Sequence, residues 1–303
     1  MTVPPDRSHV LTEQRNPRSM DLHSLSVAQC VQLIQQEDRA VLEALEAAAP
    51  QIDAFISGAE PGFLEGGRLV YVGAGTSGRL GVLDASEAPP TFQVEPGKII
   101  GIIAGGDSAL RKSSEGREDD PKGAWEELRA LGLNSRDSVL GIAAGGTTPY
   151  VRGAFEFVSG LASRPTSALL TCSPTPKPAG ADRLIVIETG PEVLTGSTRM
   201  KAGTATKMAL NTISTVLMVR SGRVFENLMV DLRATNEKLR DRGARIISTL
   251  TGLSRTEALK LLEQAGNSVK TAVVMHRKKV DHGAAERLLA ANHGRLERVL
   301  ASG

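Results

Sequence analysis

A parallel α/β sheet covered by helices on both faces is the fold this sequence predicts, on three observations. Five short β-branched runs, at residues 68–72, 98–103, 138–142, 166–171 and 183–187, alternate with stretches of helical periodicity. Strands separated by helices need crossover connections, and crossovers make neighbouring strands parallel. Glycine-rich turns follow the first three runs, at 73–78, 104–106 and 145–148. On either side of this block the pattern is helical alone. In such sheets ligands bind beyond the carboxyl ends of the strands, where successive loops converge.

In chain order, residues 1–20 are polar and contain Pro4, Pro5 and Pro17, which predicts an extended arm of the kind that often wraps a partner subunit. Val27, Val31, Ile34, Val41, Leu42, Leu45 and Ile52 recur at helical spacing and predict two helices with a break near Pro50. After the five strands, a long helix is expected over 201–222 and a second over about 228–250. The tail from 254 to 300 reads as three short helices broken near Gly266 and Gly283, a small bundle of its own. The chain therefore divides into an N-terminal arm with helices (1–57), a sheet domain (58–222) and a C-terminal helical region (223–303). No internal repeat interrupts this order.

Composition narrows the function classes. The 303 residues are 41% hydrophobic and 23% charged, ordinary for a globular protein, and only 3% aromatic. So few aromatics leave little for base stacking, and 36 basic against 34 acidic residues are scattered without a basic footprint, so nucleic acid is not expected as a partner. Cys30 and Cys172 stand far apart without metal-ligand spacing, which points to reduced thiols and no structural zinc. Asp6, Arg7, His9 and Glu13 occupy the place of a signal peptide's apolar run, and no stretch reaches the roughly 20 apolar residues of a membrane span. A cytoplasmic location without membrane association is the expectation.

The turn Gly73-Ala74-Gly75-Thr76-Ser77-Gly78 fits G-x-G-x-x-G between a strand and a helix. A dinucleotide site would also place an acidic residue at the end of the second strand, yet that strand ends in Ala104-Gly105-Gly106. Thr76 and Ser77 instead set two hydroxyls beside free backbone N–H groups at a helix N-terminus, which suits a terminal phosphate monoester. Thr147 and Thr148 repeat that chemistry. Two acidic clusters follow, Asp84 with Glu87, and Glu115 to Asp120. Acidic runs are commonly solvated helix ends. Yet β-elimination beside a carbonyl needs both a base and an acid, which two carboxyl groups in different environments can supply, and residues 58–222 contain no histidine. Ser77 and Glu87 are ten residues apart, roughly 15 Å along a helix. That exceeds the reach of one hexose phosphate, so either Glu87 serves the site of a second subunit or the helix bends near Gly81.

Along the chain stand, in order, Thr12-Glu13-Gln14-Arg15-Asn16-Pro17, Gly73 through Gly81 with Asp84-Ala85-Ser86-Glu87, Glu118-Asp119-Asp120-Pro121, Thr148-Pro149-Tyr150-Val151, Leu194-Thr195-Gly196-Ser197-Thr198-Arg199 and Asn227-Leu228-Met229-Val230-Asp231. Together these motifs resemble the bacterial N-acetylmuramic acid 6-phosphate etherases, which carry a sugar isomerase (SIS) domain. The resemblance spans nearly the whole chain and implies an SIS-type, doubly wound, five-stranded parallel sheet. It implies removal of D-lactate from N-acetylmuramate 6-phosphate, leaving N-acetylglucosamine 6-phosphate, during cell-wall recycling, with no metal or organic cofactor. Glu87 would protonate the leaving lactate and Glu118 would be the base at C2. Substrate binding would fall to Gly75, Thr76, Ser77, Gly146, Thr147, Thr148, Ser197, Arg199 and Lys201, in a homodimer with shared active sites. Gly145 and Thr147 stand where the family usually has a serine and an arginine, so two donors are missing. Arg199 and Lys201 are candidates to replace that charge or else pair with acidic neighbours; Glu13 and Arg15 could anchor the arm or touch substrate. Two rivals share these features: an aldose–ketose isomerase of phosphosugars, and a non-catalytic phosphosugar-sensing regulator.

Overall fold

Ser26 starts the first helix. Its hydroxyl accepts from the Gln29 amide while the Gln29 side chain bonds back to the Ser26 amide, a capping box that opens α1 (Val27–Asp38). The computed structural model describes residues 6–112, 115–234 and 236–301. Pro4 and Pro5 of the expected arm lie outside the described residues. The break between the first helices falls at Arg39, and α2 (Ala40–Leu64) runs on through Pro50 and Pro61. Val41, Ala44, Ala48, Ile52, Phe55, Ile56, Ala59 and Phe63 form one buried stripe on both sides of Pro50. Continuous burial of that stripe against the sheet offsets the roughly 3 kcal/mol cost of an interior proline.

Five parallel strands follow in the predicted places: β1 (Leu69–Gly73), β2 (Ile99–Ile103), β3 (Ser138–Ile142), β4 (Thr166–Thr171) and β5 (Arg183–Val186). The sheet order is β2-β1-β3-β4-β5. Register aligns Gly73 with Ile103 on one side and Ile142 on the other, so the first three strands end in one row and release their loops at one edge. Between and after them come α3 (Gly75–Phe92), α4 (Glu115–Glu118), α5 (Trp125–Leu131), α6 (Pro149–Ser159) and α7 (Lys201–Arg220). Val70, Val72, Val139, Leu169, Leu128, Val151 and Phe155 make one core against this sheet. Strands buried on both faces explain the uninterrupted apolar runs seen in the sequence.

The structure divides into two units, one holding the chain up to Ser86 with Gly97–Ser214, the other Glu87–Pro96 with the chain from Thr215 onward. In the second unit, β6 (Val224–Phe225) and β7 (Leu228–Met229) form a hairpin whose turn takes Glu226 to φ 53°. The helix expected from about residue 228 therefore begins later, as α8 (Glu237–Thr251), where the Asn236 side chain accepts from the Leu239 amide. The tail holds four helices where three were expected: α9 (Arg255–Gln264), α10 (Val269–Lys278), α11 (His282–Ala291) and α12 (Leu296–Ala301). Gly266 is a break, but Gly283 lies in the first turn of α11 behind the Asp281 cap, and the chain turns instead at Lys279 (φ 54°) and at His293-Gly294 (φ 55° and 71°). Val230, Leu232, Ala244, Ile247, Leu262, Val273 and Val299 give this unit a core of its own. No helix among the described residues is long and apolar enough to cross a membrane.

Candidate active site

Strand order reverses direction between β1 and β3, and the loops that leave these two strands at their carboxyl ends run apart, opening a crevice. A cleft of about 260 Å³ lies there, lined by Gly75, Thr76, Ser77, Thr147 and Thr148 among others. Gly78 bonds its amide to the Ala74 carbonyl at 3.1 Å, so the three residues before it are the first of α3 and have no acceptor within the helix for their own N–H groups. These donors and the positive end of the helix dipole favour an anion. The turn depends on its glycines. Gly75 sits at φ 51°, and a Cβ on Gly78 would stand 2.6 Å from Ile103 Cγ1 and 2.7 Å from the Gly73 carbonyl oxygen.

Thr148 is the N-cap of α6 with Pro149 as the first helical residue, yet its side chain makes no capping bond. That hydroxyl, like Thr147's, is half-buried at the cleft wall. Gly146 does not line the cleft. It holds the turn behind it at φ 71°, donating to the Ala143 carbonyl and accepting from Arg152 Nε. Glu118, the last residue of α4, reaches the same cleft together with exposed Asp119. Glu87 does not. It is exposed on α3, ten residues beyond Ser77. Asp84, one turn earlier, faces inward, accepting from Tyr71 Oη at 2.8 Å and Ser214 Oγ at 3.1 Å. Burial raises the Asp84 carboxyl above its ordinary value despite these bonds.

Three other predicted ligands also lie off the cleft lining. Ser197 and Arg199 flank Thr198, which does line it. Lys201 is 1% exposed and is committed elsewhere: its Nζ lies 2.8 Å from Glu37 Oε2, which rules out the free cation that the sequence suggested. The same carboxylate accepts from Asn16 Nδ2 at 2.7 Å and pairs with Arg18 Nε at 2.5 Å. Glu192 closes the other side by accepting from the Lys201 and Ala202 amides at the start of α7. Cys172, buried at the end of β4, has its thiol pushed up to about 12 by burial and is no nucleophile.

The arm was expected, and Glu13 was weighed as a substrate contact, but Arg7, Val10 and Thr12 were not singled out. Short 3₁₀ turns at Leu11–Glu13 and Pro17–Ser19 lie on the arm's own unit, with Leu11 N donating to Ser173 Oγ, Ser19 Oγ to the Val193 carbonyl and Gly196 N to the Thr12 carbonyl. Arg7, Val10, Thr12 and Glu13 thereby line the cleft. Arg7 is the one cationic residue in that lining among the described residues, and Glu13, Glu118 and Asp119 are the acidic ones. The signal available beforehand was only that a cation precedes the Thr12 to Pro17 motif by five residues.

Comparisons with known proteins identify the family. Residues 47–159 match the family model for the glucokinase regulatory protein N-terminal SIS domain. An N-acetylmuramic acid 6-phosphate etherase of Gloeobacter violaceus is 50% identical over 293 residues, covering 96% of this chain and 95% of that one. Similar enzymes of Bacillus licheniformis and Parasynechococcus marenigrum are 45% and 48% identical, covering 95% and 99% of this chain and 95% of each of those.

Proposed function

Because the chain belongs to the N-acetylmuramic acid 6-phosphate etherase family, we infer that it cleaves the D-lactyl ether of N-acetylmuramate 6-phosphate, giving N-acetylglucosamine 6-phosphate and D-lactate. The phosphate takes the N–H groups of Gly75, Thr76 and Ser77 and the hydroxyls of Thr76, Ser77, Thr147 and Thr148 as its donors. Arg7 meets the remaining negative charge, the role for which Arg199 and Lys201 were candidates. The observation that carries this reading is that Glu118 lines the same cleft as both hydroxyl-bearing turns.

With the sugar ring open, the aldehyde at C1 acidifies the C2 proton, and Glu118 removes it. The electron pair forms the C2–C3 double bond as the C3–O bond to lactate breaks, and Glu87 gives its proton to the departing oxygen. Water then adds at C3 of the unsaturated aldehyde and a proton returns to C2, so one water is consumed and both carboxyl groups are restored. Exposed Glu87, roughly 15 Å along α3 from the phosphate turn, serves the cleft of a second copy in a homodimer. The scheme calls on no cofactor, and the recycling of cell-wall fragments that it serves goes with a cytoplasmic location.

The test is direct. Wild-type protein incubated with N-acetylmuramate 6-phosphate releases D-lactate, and Glu118→Gln loses at least a hundredfold in kcat. Wild-type release no greater than that of the variant would remove the reading.

A further inference from the structure

Thr12 is 0% exposed, and its Oγ1 has no hydrogen-bond partner among the described residues. Buried side-chain oxygens are nearly always satisfied, so one left unpaired asks for a reason. Tyr150, Thr189 and Ser248 carry similar unpaired oxygens, but none of them lines the cleft, and Thr12 does. Its place there is specific. Gly145 has no side chain, and a Cβ built on it would stand 3.1 Å from Val10 Cγ1, 3.6 Å from Thr12 Oγ1 and 3.9 Å from Thr147 Oγ1. The arm therefore brings a hydroxyl to the vacant side of a glycine, next to another hydroxyl of the phosphate turn. The backbone on either side is fixed, by Leu11 N on Ser173 Oγ at 2.9 Å and Gly196 N on the Thr12 carbonyl at 3.2 Å. Only the side chain is left to turn, about one torsion, and valine would fill the same volume without an unpaired oxygen.

We propose that Thr12 is a substrate-binding residue whose hydroxyl donates to the phosphate of the sugar, so that the N-terminal arm forms one wall of the phosphate site. This rests on the phosphosugar reading above. A phosphate oxygen completes the hydrogen bonding of Thr12, and the arm in turn is drawn more firmly onto its own unit when the ligand is bound.

The test separates a ligand from a leftover. Thr12→Val keeps shape and removes the unpaired oxygen, so the free variant melts at the wild-type temperature or above it. Its Kd for N-acetylglucosamine 6-phosphate, read by calorimetry, rises about tenfold or more, and KM for the muramate ester rises with it while kcat stays within about twofold. Thr12→Ser binds as wild type does. The proposal is overturned if Thr12→Val binds the phosphosugar like wild type, or if both variants lose affinity together with a lowered melting temperature. A wild-type chain that binds the phosphosugar but releases no D-lactate refutes the etherase chemistry and leaves the Thr12 measurement intact; one that binds no phosphosugar refutes both.

Discussion

Lys201 shows how a single charge is diverted from the role its position suggests. It sits at the start of α7, close in sequence to Thr198 of the cleft, yet it is spent on Glu37 together with Asn16 and Arg18. An ammonium group shut away from water needs a carboxylate, and the carboxylate it found is 164 residues away. Burial works against the Glu37 charge, but the bonds from Lys201 and Asn16 and the charges of Lys201 and Arg18 outweigh it and hold the carboxyl below its ordinary 4.5. Since the folded value is depressed, this stabilisation is complete above pH 4.5 and is lost as pH falls through the folded value. Glu37→Gln leaves Lys201 buried without its counter-charge and is expected to cost about 3–5 kcal/mol near neutral pH in denaturant unfolding. The difference between variant and wild type should narrow as the solution is made more acid than pH 4.5; a gap of constant size would argue against the pair as its source.

At the scale of elements, the turn between β1 and α3 is tightly specified by its glycines. Gly73 and Gly78 approach so closely that a Cβ on Gly73 would stand 2.7 Å from Gly78 N, in the turn that brings Gly75, Thr76 and Ser77 to the cleft lining. Gly78→Ala drives a methyl against both the Ile103 side chain and the Gly73 carbonyl. It is expected to destabilise by about 1–3 kcal/mol and to raise KM more than it lowers kcat, measured by thermal melting beside steady-state kinetics. This turn was legible because its glycines, hydroxyls and following helix are neighbours in sequence. α2 was misread for the opposite reason: Pro50 is a local signal for a break, while the buried stripe that carries the helix past it answers to strands β3, β4 and β5 lying far away in the chain. The hairpin of β6 and β7 was not foreseen, and β7 fell inside the helix expected from about residue 228, since two-residue strands offer no periodicity to detect and the turn at Glu226 lacks the glycine that usually marks one.

For the whole molecule, the order β2-β1-β3-β4-β5 decides where chemistry can occur, because it sets the diverging loops of β1 and β3 side by side. The cleft they form holds Glu118 but not Glu87, which makes the assembly testable. On the proposal of shared sites, Ser77→Ala and Glu87→Gln variants are each expected to be inactive alone and to regain up to about a quarter of wild-type activity when mixed and allowed to exchange subunits, since a hybrid dimer would pair one intact turn with one intact carboxyl group. No recovery in verified hybrids would assign Glu87 to the cleft of its own chain. The five strands and the glycine- and hydroxyl-bearing turns after β1 and β3 could be read from the chain, because periodicity, glycine placement and N-terminal helix donors act over a few residues. Only the tertiary structure decided that Lys201 would be buried against Glu37 and that Arg7, Thr12 and Glu13 would reach the cleft. Those outcomes depend on which distant surfaces pack together, and a buried charge or hydroxyl takes its partner from whatever the packing brings within about 3 Å.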